Sequence, residues 1–477
     1  MMSNNSSSPT KIITIVGGGF CGALTAVNIL RQNPEGNIRI ILIDRGTRLG
    51  RGLAYGTWDD NFLLNVPAGN MSALPDDPNH FVRFCQDVDP AFNSATFASR
   101  RLYGDYLELT LRQACERNAG IMLEKVRGEA IAIRRQQGDD SYRIDLASGR
   151  SIQSGQVVLA LGHFPPSNPV ALTGLHETGI YIANPWDSVA LERANGEGPI
   201  AILGMGLTAL DTLFRLTSSS DTRKIYLVSR HGLFPQSHRF NPKPPAPAGF
   251  PSFLENLPST VRAYVHAVRL EIRKNATQGG DWRDIINLLR PYTPLIWQRL
   301  PLEERTKFLS RAVAYWDIHR HRLAPAAHLR LRSMLDSGQV EAVGGQIQGY
   351  EMKGGNVSLK IRRRHTGRLM ELDVSRVINC TGPTCNISKV TLPLIAQLRD
   401  EGYLQQDPTR IGFEVNDEYR VINRHGKAAE NLFYIGPMLK ARLWEAIAVP
   451  ELRIHAQRLA ERLTGGRFGK EEGNVQQ

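Results

Sequence analysis

The first glycine-rich segment has the residue types and spacing of a turn that binds a pyrophosphate. Gly17-x-Gly19-x-x-Gly22 follows the apolar run KIITIV and precedes a stretch with apolar residues at helical spacing. In such a turn the first glycine permits a tight bend, the second admits a phosphate close to the backbone, and the third lets the helix pack against the strand. The helix N-terminus then faces the phosphates with its partial positive charge. The spacing therefore predicts a dinucleotide-binding site.

A carboxylate in the expected place strengthens this prediction. Asp44 ends the next buried run, IRIILID, about 20 residues beyond the glycine turn, where an acidic side chain accepts hydrogen bonds from a ribose diol. A strand, a glycine turn, a helix, a second strand and an acid in this order are far more specific than the glycines alone. A glycine-rich turn that binds no ligand is the alternative interpretation.

A second glycine motif, Gly204-x-Gly206-x-x-Ala209, repeats the pattern after the run PIAIL. Alanine in place of the third glycine is an accepted variant of the fingerprint. The strand that follows, KIYLVSR, ends in Arg230 and carries no acid. An arginine at this place can pair with the 2′-phosphate of NADPH, which an aspartate would repel. We therefore predict NADPH rather than NADH here, with a merely exposed Arg230 as the alternative.

Two dinucleotide sites in one chain predict a hydride relay. One nucleotide stays bound while the other is exchanged, and a flavin suits the resident role because it accepts hydride and passes on one or two electrons. The predicted cofactors are therefore FAD and NADPH. Residue spacing indicates neither a catalytic triad nor a metal site, so it assigns no catalytic residue.

The chain resembles the flavoproteins with two dinucleotide-binding domains, which include flavin monooxygenases and pyridine-nucleotide reductases. It is more closely similar to the group described as FAD/NAD(P)-binding proteins. The resemblance runs from near residue 12 to near residue 460 and is carried by the segments IVGGGFCGALTA, GRGLAYGTWDDNFLLNVPAGNMSALPDDP, YIANPWD, YWDIHRHRLAP, VINCTGP and NLFYIGPMLKARLWEAIAVPELR. It implies that Gly17, Gly19, Gly22 and Asp44 bind the ADP part of FAD.

The same resemblance implies three further glycines in cofactor binding. Gly162 and Gly382 would allow close approach at the ends of two strands, and Gly436 would belong to a late flavin-binding motif. Many relatives have an aspartate after that last glycine, whereas this chain has Pro437. The role of that aspartate must then fall to a backbone amide or to another side chain.

Two other stretches contain candidate site residues. Asn65 and Met71 lie in a region that approaches the isoalloxazine ring in similar flavoproteins, with ordinary loop packing as the alternative for each. The polar run from Trp316 to Arg322 would contact a cofactor or a carboxylate substrate, or would bridge domains. Glu445 is predicted to cap a last helix that runs from about residue 443 to 463.

The order of elements predicts an α/β protein with two Rossmann-like dinucleotide-binding domains, the second inserted in the first. Each domain would carry a β-meander, and a helical insertion is expected as well. Residues 11–180 and 373–477 would form the FAD-binding domain, and residues 181–372 the NAD(P)-binding domain with its helical insert at 250–335. Residues 1–10 are polar, lack an apolar secretory core and are predicted to be a disordered tail.

Composition bounds the class of protein. The chain has 477 residues, 42% hydrophobic and 22% charged, as in a globular protein of two or three domains. No apolar run reaches the roughly 18–20 residues of a membrane span. The net charge of +12 is spread along the chain, and no nucleic-acid-binding module is visible. We therefore predict a cytoplasmic protein with a small-molecule substrate and no nucleic-acid partner.

Three functions agree with these observations. The leading hypothesis is an FAD-dependent oxidoreductase that accepts hydride from NADPH, a flavin monooxygenase acting on a small molecule. No cysteine pair follows the first βαβ unit, which disfavours a dithiol mechanism, and the Baeyer–Villiger fingerprint is only partly matched. The alternatives are an NAD(P)H dehydrogenase or reductase that passes electrons to a quinone or protein acceptor, and a non-enzymatic flavin- or nucleotide-binding sensor.

Overall fold

The computed structural model describes residues 11–32, 37–57, 59–118, 120–138, 140–194, 196–218, 222–240 and 249–465. The predicted tail at 1–10 lies outside these residues. The strands, numbered along the chain, are β1 Lys11–Val16, β2 Ile38–Asp44, β3 Met122–Arg127, β4 Ala130–Arg135, β5 Tyr142–Leu146, β6 Ser151–Ser154, β7 Gln156–Leu159, β8 Tyr181–Ile182, β9 Ile200–Leu203, β10 Ile225–Ser229, β11 Val340–Lys353, β12 Asn356–Arg363, β13 Leu369–Val374, β14 Arg376–Asn379, β15 Arg420–Ile422 and β16 Ala428–Tyr434.

The α-helices are α1 Phe20–Gln32, α2 Gly52–Tyr55, α3 His80–Val88, α4 Arg100–Arg117, α5 Ser188–Glu192, α6 Leu207–Leu216, α7 Val261–Thr277, α8 Trp282–Leu289, α9 Thr293–Arg299, α10 Leu302–Lys307, α11 Val313–Arg320, α12 Pro325–Asp336, α13 Pro393–Asp400 and α14 Val449–Thr464. None of the helices in the described part of the chain has the length and apolar character needed to cross a membrane.

The first sheet has the strand order β15-β16-β7-β1-β2-β3. β1 lies between β2 and β7 and pairs with both in parallel. Its run KIITIV and the run IRIILID of β2 are rich in β-branched residues and mostly buried, as in parallel strands that are covered on both faces. α1 connects β1 to β2 and buries most of its length. This is the first predicted βαβ unit.

The second sheet has the order β13-β12-β11-β10-β9-β14-β8 and repeats the unit with β9, α6 and β10. β11 pairs with its two neighbours in different directions. Its first part is parallel to β10, and from Gly345 onward it is antiparallel to β12. The second predicted meander, β11 to β13, is therefore a direct extension of the second parallel sheet.

Two predicted boundaries differ from the strand pairing. β14 pairs in parallel with β9 and β8, so the second sheet continues past the predicted return to the first domain at residue 373. The first predicted meander also begins later than expected, because β3 is parallel to β2 in the first sheet and only β4, β5 and β6 form a separate antiparallel sheet. The rest of the domain division stays a prediction.

The helical insertion, α7 to α12, lies between β10 and β11 and has its own core, which includes Tyr264, Trp297 and Trp444. One turn of π-helix, Phe308–Ala312, joins α10 to α11. The last helix begins at Val449 rather than near residue 443. Glu445 has a φ of +78°, which is left-handed backbone that no helical first turn contains, so the prediction that it caps this helix is wrong.

Candidate functional site

A cleft of about 1980 Å³ is lined by the residues that follow the carboxyl ends of strands in both parallel sheets. This volume exceeds the roughly 300–1,000 Å³ of a pocket for one small ligand, so the cleft has room for more than one. Ten residues singled out from the sequence line it, namely Gly17, Gly19, Asp44, Asn65, Met71, Gly162, Gly204, Gly206, Arg230 and Gly382. Gly22, Ala209 and Gly436 are not part of the lining.

The first glycine turn has no space for a side chain at Gly17 or at Gly22. Gly17 has a φ of +109°, and a Cβ there would overlap the carbonyl oxygen of Ala160. A Cβ on Gly22 would overlap the carbonyl oxygen of Gly17 and would lie 3.1 Å from Ile15 Cγ2. Gly22 therefore acts from behind the turn, by letting α1 pack closely, while Gly17 and Gly19 face the cleft.

Asp44 is fixed at the end of β2 by two backbone amides. Its Oδ2 accepts a hydrogen bond from the Gly18 N–H at 2.6 Å, and its Oδ1 accepts one from the Gly46 N–H at 2.7 Å. A carboxylate oxygen has more than one acceptor site, so both oxygens keep capacity toward the cleft. The side chain is thus oriented beside the glycine turn, where a ribose would lie.

In the second glycine turn, as in the first, one position is required by close packing of the backbone and another leaves space toward the cleft. Gly204 has a φ of +118°, and a Cβ there would overlap the carbonyl oxygen of Cys380. Gly206, just before α6, has open space in the direction of a Cβ. Ala209 lies in the first turn of α6 and is fully buried, at the position that the third glycine has in the first motif.

Arg230 follows β10 at the rim of the cleft and has a cationic neighbour that the sequence did not reveal. Arg364, beyond β12, brings its Nη1 to 3.4 Å from the carbonyl oxygen of Arg230 and against Nδ1 of His231. Burial lowers the pKa of His231, and Arg364 and Arg230 add to this effect. Arg364 thus places a second positive charge beside the backbone of Arg230.

Asn65 and Met71 both line the cleft. The Asn65 carbonyl oxygen accepts a hydrogen bond from His238 Nε2 at 2.9 Å. Burial, with help from Arg322, lowers the pKa of His238 to about 4, so a neutral ring with its proton on Nε2 makes this bond. Met71 also belongs to the hydrophobic core that packs around the first sheet.

A glycine follows each of three strands near the cleft, Gly162 after β7, Gly382 after β14 and Gly436 after β16. Gly162 and Gly382 have φ values of +65° and +95°, and no atom occupies the space of a Cβ. Gly436, with a φ of +142°, lies behind the surface, and Pro437 is the residue that lines it. Tyr434 fixes this turn, because its Oη accepts a hydrogen bond from the Met438 N–H at 2.9 Å.

The helical insertion supplies the opposite wall. Leu309, Val313, Asp317 and His321, which repeat every four residues through the π-turn and α11, all line the cleft. His321 Nε2 lies 3.9 Å from Asp317 Oδ1. The wall therefore passes from apolar to acidic along one helical face.

A buried ion pair attaches this wall to the segment after β16. Arg320 Nε lies 2.7 Å from Glu445 Oε2, and the two side chains are 6% and 1% exposed. Trp316 Nε1 donates a hydrogen bond of 3.0 Å to the other carboxylate oxygen of Glu445. The polar run at 316–322 thus bridges parts of the fold and also contributes to the cleft.

Residues 14–164 match the model of a family described as FAD-NAD(P)-binding. The match covers less than half of the chain. The matched segment contains the first glycine turn, Asp44, Asn65, Met71 and Gly162, which agrees with the family to which the sequence was expected to be related. No curated protein matches the chain.

Almost the whole chain, including the matched segment, is similar in fold to solved enzymes. Ornithine hydroxylase from Pseudomonas aeruginosa has a TM-score of 0.62 at 14% identity, over 96% of this chain and 99% of that one. L-lysine 6-monooxygenase from Pseudomonas syringae has a TM-score of 0.65 at 16% identity, over 94% and 98%. Bacillithiol disulfide reductase from Bacillus cereus has a TM-score of 0.52 at 12% identity, over 96% and 99%. The predicted α/β class with two Rossmann-like domains is confirmed.

Sequence reasoning missed one neighbour of the site and left another part of it open. Arg364 lies 134 residues from Arg230, and no local pattern connected the two. Asp317 and His321 belong to the polar run that was predicted either to contact a cofactor or a carboxylate substrate or to bridge domains, and both line the cleft. The four-residue spacing of Leu309, Val313, Asp317 and His321 was the available signal.

Proposed function

We propose that the protein is an FAD-dependent oxidoreductase that accepts hydride from NADPH, and that it is a flavin monooxygenase acting on a small molecule. The observation that carries this proposal is that both glycine turns line one cleft, Gly17 and Gly19 from the first and Gly204 and Gly206 from the second. Two dinucleotides held in one cleft can have their reacting rings in contact. When bound, these cofactors supply hydride transfer and the reaction of reduced flavin with oxygen.

The residues present fit both cofactors. Gly17, Gly19 and the N-terminus of α1 would hold the FAD pyrophosphate, and Asp44 its ribose. Gly206 and the N-terminus of α6 would hold the NADPH pyrophosphate, with Arg230 on the 2′-phosphate. The protein's own contribution is to orient the two rings and to exclude water from the space between them. The cytoplasm is the location that accompanies this proposal.

Two of the three cysteines that line the cleft are unsuited to disulfide reduction. Cys21, Cys380 and Cys385 belong to the lining, and burial raises the pKa of Cys21 and of Cys380 to about 12. At neutral pH these two are therefore thiols, whereas attack on a disulfide requires a thiolate. The ornithine and lysine enzymes named above have TM-scores of 0.62 and 0.65, higher than the 0.52 of the disulfide reductase, which supports a monooxygenase.

The decisive test is spectroscopic. The purified protein should contain FAD, and under anaerobic conditions NADPH should bleach it faster than NADH. When air and candidate substrates are admitted, mass spectrometry should find a product that has gained one oxygen atom. Reduction of a quinone or protein carrier without such a product would favour the reductase, and a flavin that neither nucleotide reduces would favour the sensor. Protein that takes up no flavin would refute the proposal.

Gly206→Ala tests the second turn without disturbing the fold. Its φ of −80° suits any residue, and the added Cβ has no neighbour within 4 Å. We therefore expect an unchanged melting temperature but a KM for NADPH about 10- to 100-fold higher, because the methyl group displaces the pyrophosphate. Gly179→Ala, also in open space but outside the cleft lining, is the control. An unchanged KM in Gly206→Ala would contradict this role.

Arg230→Asp tests the choice of nucleotide. Loss of a charged hydrogen bond to the 2′-phosphate costs about 1.5–3 kcal/mol, so kcat/KM for NADPH should fall at least about tenfold. The value for NADH, which lacks that phosphate, should change little. Steady-state kinetics with both nucleotides measures the ratio, and Arg112→Asp on the exposed face of α4 is the control. An unchanged ratio would show that Arg230 is only a surface residue.

A further inference from the structure

One wall of the cleft carries a carboxylate that the cofactor-binding residues do not explain. Asp317 lies on α11, its side chain is 49% exposed, and it lines the cleft. The imidazole of His321 lies beside it, with Nε2 3.9 Å from Oδ1. Burial, together with Arg320, Arg290 and Lys440, lowers the pKa of His321 to about 3. The imidazole is therefore neutral and does not compensate the charge of Asp317.

The other acidic side chains of the cleft already have partners. Asp44 accepts hydrogen bonds from two backbone amides. Glu129 lies 3.7 Å from Arg45, and Glu445 is paired with Arg320. Among the cleft-lining carboxylates that the structure describes, Asp44 and Asp317 are the two with no Lys or Arg nitrogen within 4 Å, and of these Asp44 is already held by two backbone amides. Lys440 and Arg320 act on Asp317 electrostatically but form no ion pair with it, so its carboxylate can still attract a ligand of opposite charge.

The chemistry beside Asp317 narrows the class of ligand. On the same helical face, Val313 lines the cleft one turn before Asp317, and Leu309 lines it two turns before. An apolar stretch that ends in a carboxylate is complementary to an alkyl chain that ends in an ammonium group. His321, one turn further on, adds a neutral hydrogen-bonding group.

We propose that Asp317 binds the cationic amine of an aliphatic substrate, whose alkyl chain lies along Leu309 and Val313. This inference rests on the proposed function, which makes the cleft the active site, and it adds the class of substrate that the cleft binds. Asp317 is a substrate-binding residue in this proposal and needs no bond to form or break. Lys440, on the segment after β16, also lines the cleft, and it is the cation with which an amine must compete.

Ligand binding tests the proposal without turnover. The FAD-loaded protein is titrated by calorimetry with butylamine, 1-butanol and butyrate, which have similar chains and differ in charge. We expect butylamine to bind most tightly and Asp317→Asn to weaken it at least about tenfold, the value of a charged hydrogen bond. Asp336→Asn, on the exposed end of α12, should leave binding unchanged. Tight binding of butyrate, or equal affinity of wild type and Asp317→Asn for butylamine, would overturn the proposal.

The pH dependence of wild-type binding is a second, independent measurement. Although the side chain of Asp317 is half exposed to the cleft, the protein around it desolvates the carboxylate, and this is the main reason that its pKa is raised to about 6; Glu445 acts in the same direction, against Lys440 and Arg320. His321 on the same helix has a pKa of about 3, and His163 on the segment after β7 has one of about 4, so neither titrates near 6. Affinity for butylamine should therefore fall about tenfold per pH unit below about 6.

The two proposals can fail separately. Bleaching by NADPH reports on the redox function alone, and butylamine binding reports on Asp317 alone. If NADPH reduces the flavin but butylamine affinity is independent of pH between about 5 and 8, the amine site is refuted and the oxidoreductase stands.

Discussion

Glu445→Ala should reduce the free energy of unfolding by about 3–5 kcal/mol, because it leaves a buried arginine without its counterion. Arg320 and Glu445 are both almost completely buried, with 2.7 Å between their charged atoms. The remaining carboxylate near Arg320 is Glu451, at 3.8 Å, and it is already paired with Arg290 at 2.7 Å. Chemical denaturation, monitored by tryptophan fluorescence, measures the change.

Two comparisons isolate the buried charge as the cause. Glu303→Ala removes an ion pair with Lys307 at the surface and should cost less than about 1 kcal/mol. Combining Glu445→Ala with Arg320→Met removes both charges and should recover a large part of the lost stability. If Glu445→Ala is no more costly than Glu303→Ala, the pair does not hold the helical insertion in place.

Gly22→Ala should abolish FAD retention while leaving a folded protein. The backbone of Gly22 is ordinary helix, so the effect is purely steric: the methyl group would overlap the carbonyl oxygen of Gly17 and force α1 away from the turn. Overpacking of this kind costs about 1–3 kcal/mol in stability. A displacement of about 1 Å at the phosphate-binding amides would reduce FAD affinity by about 100-fold.

Flavin content after gel filtration and the dissociation constant of added FAD measure this effect. Gly155→Ala is the matched control, since its Cβ would meet only Ile12 O at 3.7 Å, an ordinary contact. Full flavin retention in Gly22→Ala would mean that the first turn does not hold the pyrophosphate. Loss of flavin in both variants would point to a general loss of stability instead.

The glycine turns were predictable because they are local. Gly17, Gly22 and Asp44 lie within one βαβ unit, and the strand, turn and helix that position them are encoded by neighbouring residues. The same is true of the second unit. The resemblance to known flavoproteins added Gly162 and Gly382, which the spacing alone did not identify.

The remaining features depend on contacts between distant segments. β14 could be assigned to the second sheet only through its pairing with β9, which is far away in sequence. The start of the last helix was misjudged because Glu445 is drawn into a left-handed turn by Arg320 and Trp316. Pro450, which favours the first turn of a helix, was the local signal for a later start.

Because of the π-turn at Phe308–Ala312, the number of residues in the helical insertion determines which of its side chains face the cleft. A π-turn contains one residue more than the corresponding α-helical turn, and one residue rotates everything beyond it by about 100°. Deleting a residue there would put α11 out of phase with α10. Either Arg320 would then miss Glu445, or Leu309 would leave the wall that it shares with Asp317. Single-residue insertions and deletions should therefore be tolerated in the loops around this helix pair but not within the five residues that join it.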